Sequence, residues 1–296
     1  MIGAVEAGGT KFVCAVGDES GQLFSEERFP TTDPQATLAA MVASLRRQSA
    51  ATAPLTAIGV GSFGPVELDR TSPQYGYIVR TPKPGWAMTD VAGTLAREFD
   101  CPIGFDTDVN AAAIGEHRWG AARDVADLVY VTVGTGIGGG VLVDGKPLHG
   151  LLHPEIGHVF PRRHPLDAGF QGTCPFHGDC LEGLASGPAI LARSGTSLDR
   201  LPETHPQWEI QADYLGQMCQ ALVLTVSPRR IIMGGGVMNQ LRLLPLIHGR
   251  LQHWLQGYID RQELLGPAGS YIVGPGLGAQ AGVLGALALG LDAGGH

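Results

Sequence analysis

Hydrophobic and polar positions fall into short apolar runs of strand type, each ending on glycine: IGAVEAGG from residue 2, LTAIGVGSFG from 55, LVYVTVGTG from 128 and RRIIMGGG from 229. The first run, followed by Thr10, Lys11 and a second apolar run, predicts a β-hairpin with strands over 2–6 and 11–16. LVYVTVGTGIGGGVLVDGK predicts another, with Thr135 between two glycines. DVNAAAIGEHRWG reads as a helix beginning just after Asp108, which makes Asp108 a candidate N-cap. AGVLGALALGL reads as a packed helix, since it is far shorter than the ~20 residues that cross a bilayer. The stretch 188–215 reads as a loop with proline turns leading into a helix.

Glycine sharpens this reading, because its 44 positions among 296 are clustered at the ends of the apolar runs. A glycine after a strand removes the Cβ that would hold a ligand away from backbone N–H groups, so such turns suit phosphate. The first cluster has neither the spacing of a P-loop nor that of a dinucleotide fold. Two similar hairpins, one near the start of each half, point instead to a duplicated two-domain nucleotide clamp.

Charge and cysteine content narrow the function classes. A net charge of −8, with no basic run longer than Arg229-Arg230, argues against a nucleic-acid surface. The start MIGAVEAGGT lacks a signal peptide's basic and apolar regions, and no run suits a membrane span, so a cytoplasmic protein is expected. Five cysteines, three of them single within apolar segments (Cys14, Cys101 and Cys219), fit a reducing compartment and buried packing roles. The other two lie in CPFHGDC, 174–180, where two thiols and an imidazole within one turn suit zinc. A tetrahedral site needs a fourth ligand, and His149, His153, His158 and His164 are all near enough in sequence to compete. His149, His153, His164 and His205 show no partner pattern and are expected at the surface or in loops.

Taken in order, these motifs make the chain similar to the ROK sugar kinases of the actin, Hsp70 and hexokinase superfamily, and within them to the bacterial fructokinase branch. AGGTK (7–11) resembles the first phosphate loop, DTDVNAAAIGE (106–116) the catalytic segment and GTGIGGG (134–140) the second phosphate loop. HPEIGH (153–158) and CPFHGDCLEG (174–183) resemble the ROK signature, GGGVM (234–238) the adenosine loop and YGYIVRTPKPGW (75–86) a stretch of the fructokinase branch. The resemblance implies Asp108 as general base and Glu155, His158, Glu182, Thr107 and Asn110 as sugar contacts, with Asp106 a neighbour. It implies nucleotide contacts from Gly8, Gly9, Thr10, Lys11, Gly134, Thr135, Gly136, Gly234, Gly235 and Gly236. His158, Cys174, His177 and Cys180 become the four ligands of a structural zinc, closed to substrate and pinning the loop that carries Glu155 and Glu182.

The fold it implies is α/β, with two ribonuclease-H-like domains around an ATP and sugar cleft: residues 1–117 with a returning helix in 274–296, and 118–273. The implied reaction is phosphorylation of D-fructose to fructose 6-phosphate by ATP with Mg²⁺, in a homodimer. The alternatives are a glucose, mannose or N-acetylmannosamine kinase, or a non-catalytic nucleotide-binding module. A sugar-responsive repressor of the same family would need a helix-turn-helix before the first phosphate loop, and none is expected. Four positions depart from the commonest ROK pattern: Glu6 stands for aspartate, Thr107 for asparagine, TPKPGW for an asparagine-containing loop and His177 for cysteine. The second and third remove glucose contacts and favour a ketohexose.

Overall fold

A computed structural model of the chain describes residues 1–267 and 269–295. In chain order the strands are β1 Ile2–Ala7, β2 Lys11–Gly17, β3 Leu23–Pro30, β4 Ala57–Ser62, β5 Tyr77–Ile78, β6 Thr89–Asp90, β7 Ile103–Thr107, β8 Leu128–Val133, β9 Ile137–Val143, β10 Lys146–Pro147, β11 Arg230–Gly234 and β12 Ile272–Val273. The helices are α1 Pro34–Ala51, α2 Ala92–Glu98, α3 Asp108–Arg118, α4 Leu181–Ala185, α5 Gly187–Ser194, α6 Gln207–Thr225, α7 Leu243–Leu255, α8 Gln262–Leu265 and α9 Ala281–Gly294. Two units result, one of residues 1–124, 140–154 and 276–296, the other of 125–139 and 155–275.

The first unit is built on a sheet of order β3-β2-β1-β4-β7. β1 pairs antiparallel with β2 and parallel with β4, which pairs parallel with β7. Alternate side chains of these strands face opposite ways, so the sheet has two buried faces. Val5, Phe12, Cys14 and Val60 pack with Met41 and Leu45 of α1 and with Trp86, while Ile2, Ala4, Val13 and Ala15 pack against Val283, Leu284 and Leu287 of α9. Two glycines let α9 approach closely. A Cβ on Gly59 would lie 1.8 Å from the Ala286 carbonyl, and one on Gly285 would lie 1.7 Å from the Ala111 carbonyl. Glu116 closes the arrangement: though fully buried, its carboxylate accepts N–H bonds from Ala121 at 2.7 Å and from Gly276 and Leu277 at 2.9 Å each, fixing the entry to α9 on α3.

The second sheet has order β10-β9-β8-β11-β12, with β11 parallel to both β8 and β12. β9 carries the chain from the second unit into the first between Gly139 and Gly140. In the second unit α6 and α7 are joined by an ion pair between the buried Asp213 and the partly exposed Arg250, to which Trp254 adds an indole N–H bond of 3.0 Å. Among the described residues no helix is long and apolar enough to cross a membrane.

Three differences from the sequence reading are physical in origin. Residues 188–194, expected as loop, belong to α5, because Ser186 caps it and Pro188 lies in its first turn, where no N–H is needed. The cap of α3 is Thr107, whose hydroxyl accepts the Asn110 N–H at 3.0 Å, so Asp108 opens the helix itself. His153 and His164, expected at the surface or in loops, do lie in irregular segments but are only 7% and 5% exposed, each ring accepting a backbone N–H, from Val66 and from Leu166.

Candidate functional site

In the first unit the chemistry gathers at the carboxyl ends of β1 and β7. The β1–β2 turn is closed by the Gly8 N–H on the Lys11 carbonyl (3.0 Å), and Thr31 braces it from β3's end. The Thr31 hydroxyl donates to the Gly8 carbonyl at 2.7 Å and its N–H to the Thr10 carbonyl at 2.9 Å. These bonds consume carbonyls, while Gly9, Thr10 and Lys11 stay exposed and able to meet an anion. The TPKPGW stretch is anchored to the same brace: Lys83 Nζ donates to the Thr31 carbonyl at 3.3 Å, and the fully buried Trp86 donates its indole N–H to the Thr32 carbonyl at 2.8 Å. Glu6, half-buried at the end of β1, has its carboxyl raised by burial, an effect Lys11 opposes.

At the end of β7, Asp106, Thr107 and Asn110 form one hydrogen-bonded cluster, and Asp108, within the same stretch, accepts the Val109 N–H at 2.9 Å. Asp108 is half-buried and begins α3, where the helix dipole favours its charge. Asn110 is fully buried, with Nδ2 donating to Asp106 at 2.7 Å and Oδ1 without a hydrogen-bond partner. The other Asp106 oxygen accepts His149 Nε2 at 2.9 Å, a pairing between residues 43 apart that sequence reasoning missed.

In the second unit the β8–β9 turn is closed by the Gly134 N–H on the Gly136 carbonyl (2.9 Å), with Thr135 exposed. It is braced from α5 and α4: Gly187 N–H donates to the Gly134 carbonyl at 2.8 Å, and Ile137 N–H donates to Glu182 Oε2 at 2.9 Å. Beside it runs the glycine turn 234–236. Gly235 has φ +92°, and a Cβ there would lie 2.5 Å from the Val133 carbonyl, so the close approach of the two turns depends on this glycine.

The CPFHGDC segment folds back on itself. Cys174 and Gly178 exchange both backbone hydrogen bonds, at 3.1 and 2.9 Å, with Gly178 at φ +64°. The ligating atoms of His158, Cys174, His177 and Cys180 all lie within 4.8 Å of one another. His158 Nδ1 is 3.9 Å from Cys174 Sγ and 3.5 Å from Cys180 Sγ, and His177 Nδ1 is 3.7 Å from Cys174 Sγ. Tetrahedral zinc with ordinary bond lengths sets sulfur and nitrogen ligands about 3.6 Å apart, so the donor set fits that ion. Burial pushes the Cys180 thiol up to about 11, and a bound cation is what would hold it as thiolate. His158 turns Nδ1 to the thiols and so keeps Nε2 as a separate donor.

The intervening loop is held by a network the sequence did not announce. Asp167, 3% exposed, takes Arg193 Nε and Nη2 at 2.7 and 2.9 Å and the Tyr214 hydroxyl at 2.7 Å. Glu155 is solvent-exposed along part of its length, yet crowding by the surrounding protein, with Glu182 adding to it, raises its carboxyl to about 7. The unit therefore sets two carboxyl groups and one imidazole N–H around a fixed metal-capable knuckle, an arrangement suited to polyhydroxyl ligands.

The ROK family model matches residues 2–293. The fructokinase of Zymomonas mobilis subsp. mobilis is 46% identical over 296 residues, 99% of this chain and 97% of that one. The fructokinase of Pediococcus pentosaceus is 44% identical over 289 residues, 98% of this chain and 97% of that one. Among solved structures, a ROK hexokinase from Thermus thermophilus matches with a TM-score of 0.78 at 27% identity, covering 98% of each chain.

Proposed function

The chain belongs to the ROK family, and from that premise we propose that it transfers the γ-phosphoryl group of MgATP to D-fructose, giving fructose 6-phosphate. The observation that carries the proposal is the near full-length likeness to fructokinases, at 46% and 44% identity. In this reading Asp108 accepts the proton of the attacking hydroxyl. A sugar hydroxyl is a weak nucleophile at neutral pH, and a carboxylate kept ionised at a helix N-terminus is suited to activate it.

The side chains of Thr107 and Asn110 are engaged in the α3 cap and with Asp106. Asn110 Oδ1 carries no hydrogen bond but is buried, so the sugar contact assigned to Asn110 needs the start of α3 to open, and that of Thr107 falls to its hydroxyl proton. Glu155, Glu182 and His158 Nε2 bind sugar hydroxyls; Glu182 does so through Oε1, since Oε2 holds the Ile137 N–H. The exposed tips of the two turns, Gly9, Thr10 and Lys11 and then Thr135, meet the phosphates, while Gly8, Gly134 and Gly136 shape the turns beneath them, and the turn 234–236 lies against adenosine. His158, Cys174, His177 and Cys180 hold zinc, whose contribution when bound is to fix the loop, not to polarise substrate.

The test is ADP release from MgATP with fructose, glucose, mannose, N-acetylmannosamine or no sugar. Strong turnover with fructose alone supports the proposal. Preference for another hexose removes the substrate assignment and leaves the kinase chemistry, and sugar-independent hydrolysis removes both.

A further inference from the structure

We infer that Asp106 and His149 act as a positioning pair that holds the start of α3, and with it Asp108, in the attitude needed for proton abstraction; the inference rests on the phosphotransfer reading above. Asp106 is 2% exposed, and a buried carboxylate is tolerated only where donors surround it. Two of its donors stand on either side of Asp108. One is the Thr107 N–H at 2.7 Å and the other is Asn110 Nδ2, also at 2.7 Å. The Thr107 hydroxyl adds a second tie to the Asn110 N–H at 3.0 Å. The segment 106–110 is thus closed into a small ring, and Asp108 sits at its open point.

The third donor comes from outside that ring. His149 Nε2, 2.9 Å from Asp106 Oδ2, belongs to the segment after β10, which runs on to His153 and its bond with the Val66 N–H at 3.2 Å. This is what connects the ring to a distant part of the unit. The Asp106 carboxylate raises the His149 imidazole above its ordinary value, as expected for a charge-assisted contact.

The surroundings offer no other side chain that takes over the contact from His149. Asp106 and His149 border a cavity of about 310 Å³, also lined by Arg70 and Tyr75. The Tyr75 hydroxyl is buried close to Asp106 and the Phe105 amide without a well-formed hydrogen bond, and it does not take the place of His149. Water entering the cavity can solvate Asp106 Oδ2, but it cannot transmit the position of the 148–154 segment. Loss of the imidazole therefore leaves the charge satisfied and removes the tether.

The experiment uses the full chain and three substitutions. His149→Ala removes the donor. His149→Gln places an amide N–H where Nε2 stood, and His149→Asn is too short to reach. A displacement of about 1 Å at a reacting group costs on the order of 100-fold, so His149→Ala and His149→Asn should lose roughly 10- to 100-fold in kcat with fructose while KM for MgATP stays within about twofold. His149→Gln should keep kcat within about threefold of the parent. Hydrogen exchange in the peptide covering 106–118 should quicken in the Ala and Asn variants and not in Gln.

A His149→Ala enzyme within about twofold of the parent in kcat overturns the inference. So does unchanged exchange at the start of α3, or a Gln variant as impaired as Ala. If the parent phosphorylates no sugar, the functional reading fails on that result, and the exchange data still decide whether the pair holds α3.

Discussion

The two units hold their carboxylates by opposite means. In the first, Asp106 and Asp108 lie in the contiguous stretch 106–110, where backbone and amide N–H groups bond Asp106 and Asp108 opens α3. In the second, Glu155 and Glu182 come from separate segments, and crowding together with their mutual repulsion raises Glu155 to about 7. One arrangement follows from local chain geometry. The other depends on an irregular loop that must be pinned by the Cys/His knuckle and the Asp167–Arg193 contact. The first should therefore fail through chemistry when altered, the second through loss of position.

The largest effect is expected at Asp108. Replacing it with asparagine preserves size and removes the base, so kcat should fall by roughly 10²–10⁴. ATP affinity by calorimetry should stay within about twofold, because Asp108 binds no phosphate in this reading. A variant that retains most turnover would remove Asp108 from the role of base. Next in size is Cys180→Ser, which attacks the second unit through its scaffold. Elemental analysis should show zinc lost, and sugar turnover should drop roughly 10- to 100-fold. A wild-type enzyme that is fully active without zinc would contradict the pinning argument.

The two phosphate-type turns offer a finer contrast. A Cβ on Gly136 would lie 2.6 Å from Glu182 Oε2, whereas one on Gly9 meets nothing within 4 Å. Gly136→Ala should displace the Glu182 carboxylate from the Ile137 N–H and cost about 1–3 kcal/mol, seen as a lower Tm and a raised KM for fructose. Gly9→Ala should leave Tm unchanged. Equal Tm values for the two variants would show that Glu182 does not brace the second turn.

This contrast also marks what could be read from the sequence. The hairpins, α3, α9 and the Cys174, His177 and Cys180 cluster were legible because each rests on periodicity or on clustered residue types, whereas His158 as the fourth member came from the family resemblance and not from spacing. The glycines of 59 and 285 were not separable by pattern from those of ligand turns, although they serve the approach of α9 to β4 and α3. The Asp106–His149 and Asp167–Arg193 pairs lie 43 and 26 residues apart, and no local spacing signals such a contact. Glu116 read as an ordinary helix residue, since the amides that it accepts near residue 276 come from the far end of the chain. Local rules found the elements, and the side chains that fix their relative placement within each unit required the folded chain.

A smaller effect separates capping from catalysis within the first unit. Thr107→Ala removes the hydroxyl that accepts the Asn110 N–H, so denaturation should show a loss of about 1 kcal/mol. Thr107→Ser should restore it. If Thr107→Ala leaves stability unchanged, the α3 start is held by Asp106 alone.

The smallest effect expected is the pH dependence of the His149–Asp106 contact. His149 faces Asp106, with Arg70, Tyr75, His153 and Asp292 in the same surroundings. Its imidazole is raised above the ordinary 6.5 by the Asp106 hydrogen bond and charge. The folded state therefore binds the proton more tightly than the unfolded chain. The stabilisation is fully present below pH about 6.5 and is lost as pH rises through the folded-state value. Solvent screens this half-exposed pair, so the contribution is held below about 1 kcal/mol. The Tm difference between the parent and His149→Ala should be greatest under mildly acidic conditions and shrink toward pH 8. A difference that grows with pH would mean that the neutral imidazole is the form Asp106 stabilises, and the pair would then act as a plain hydrogen bond without its ionic part.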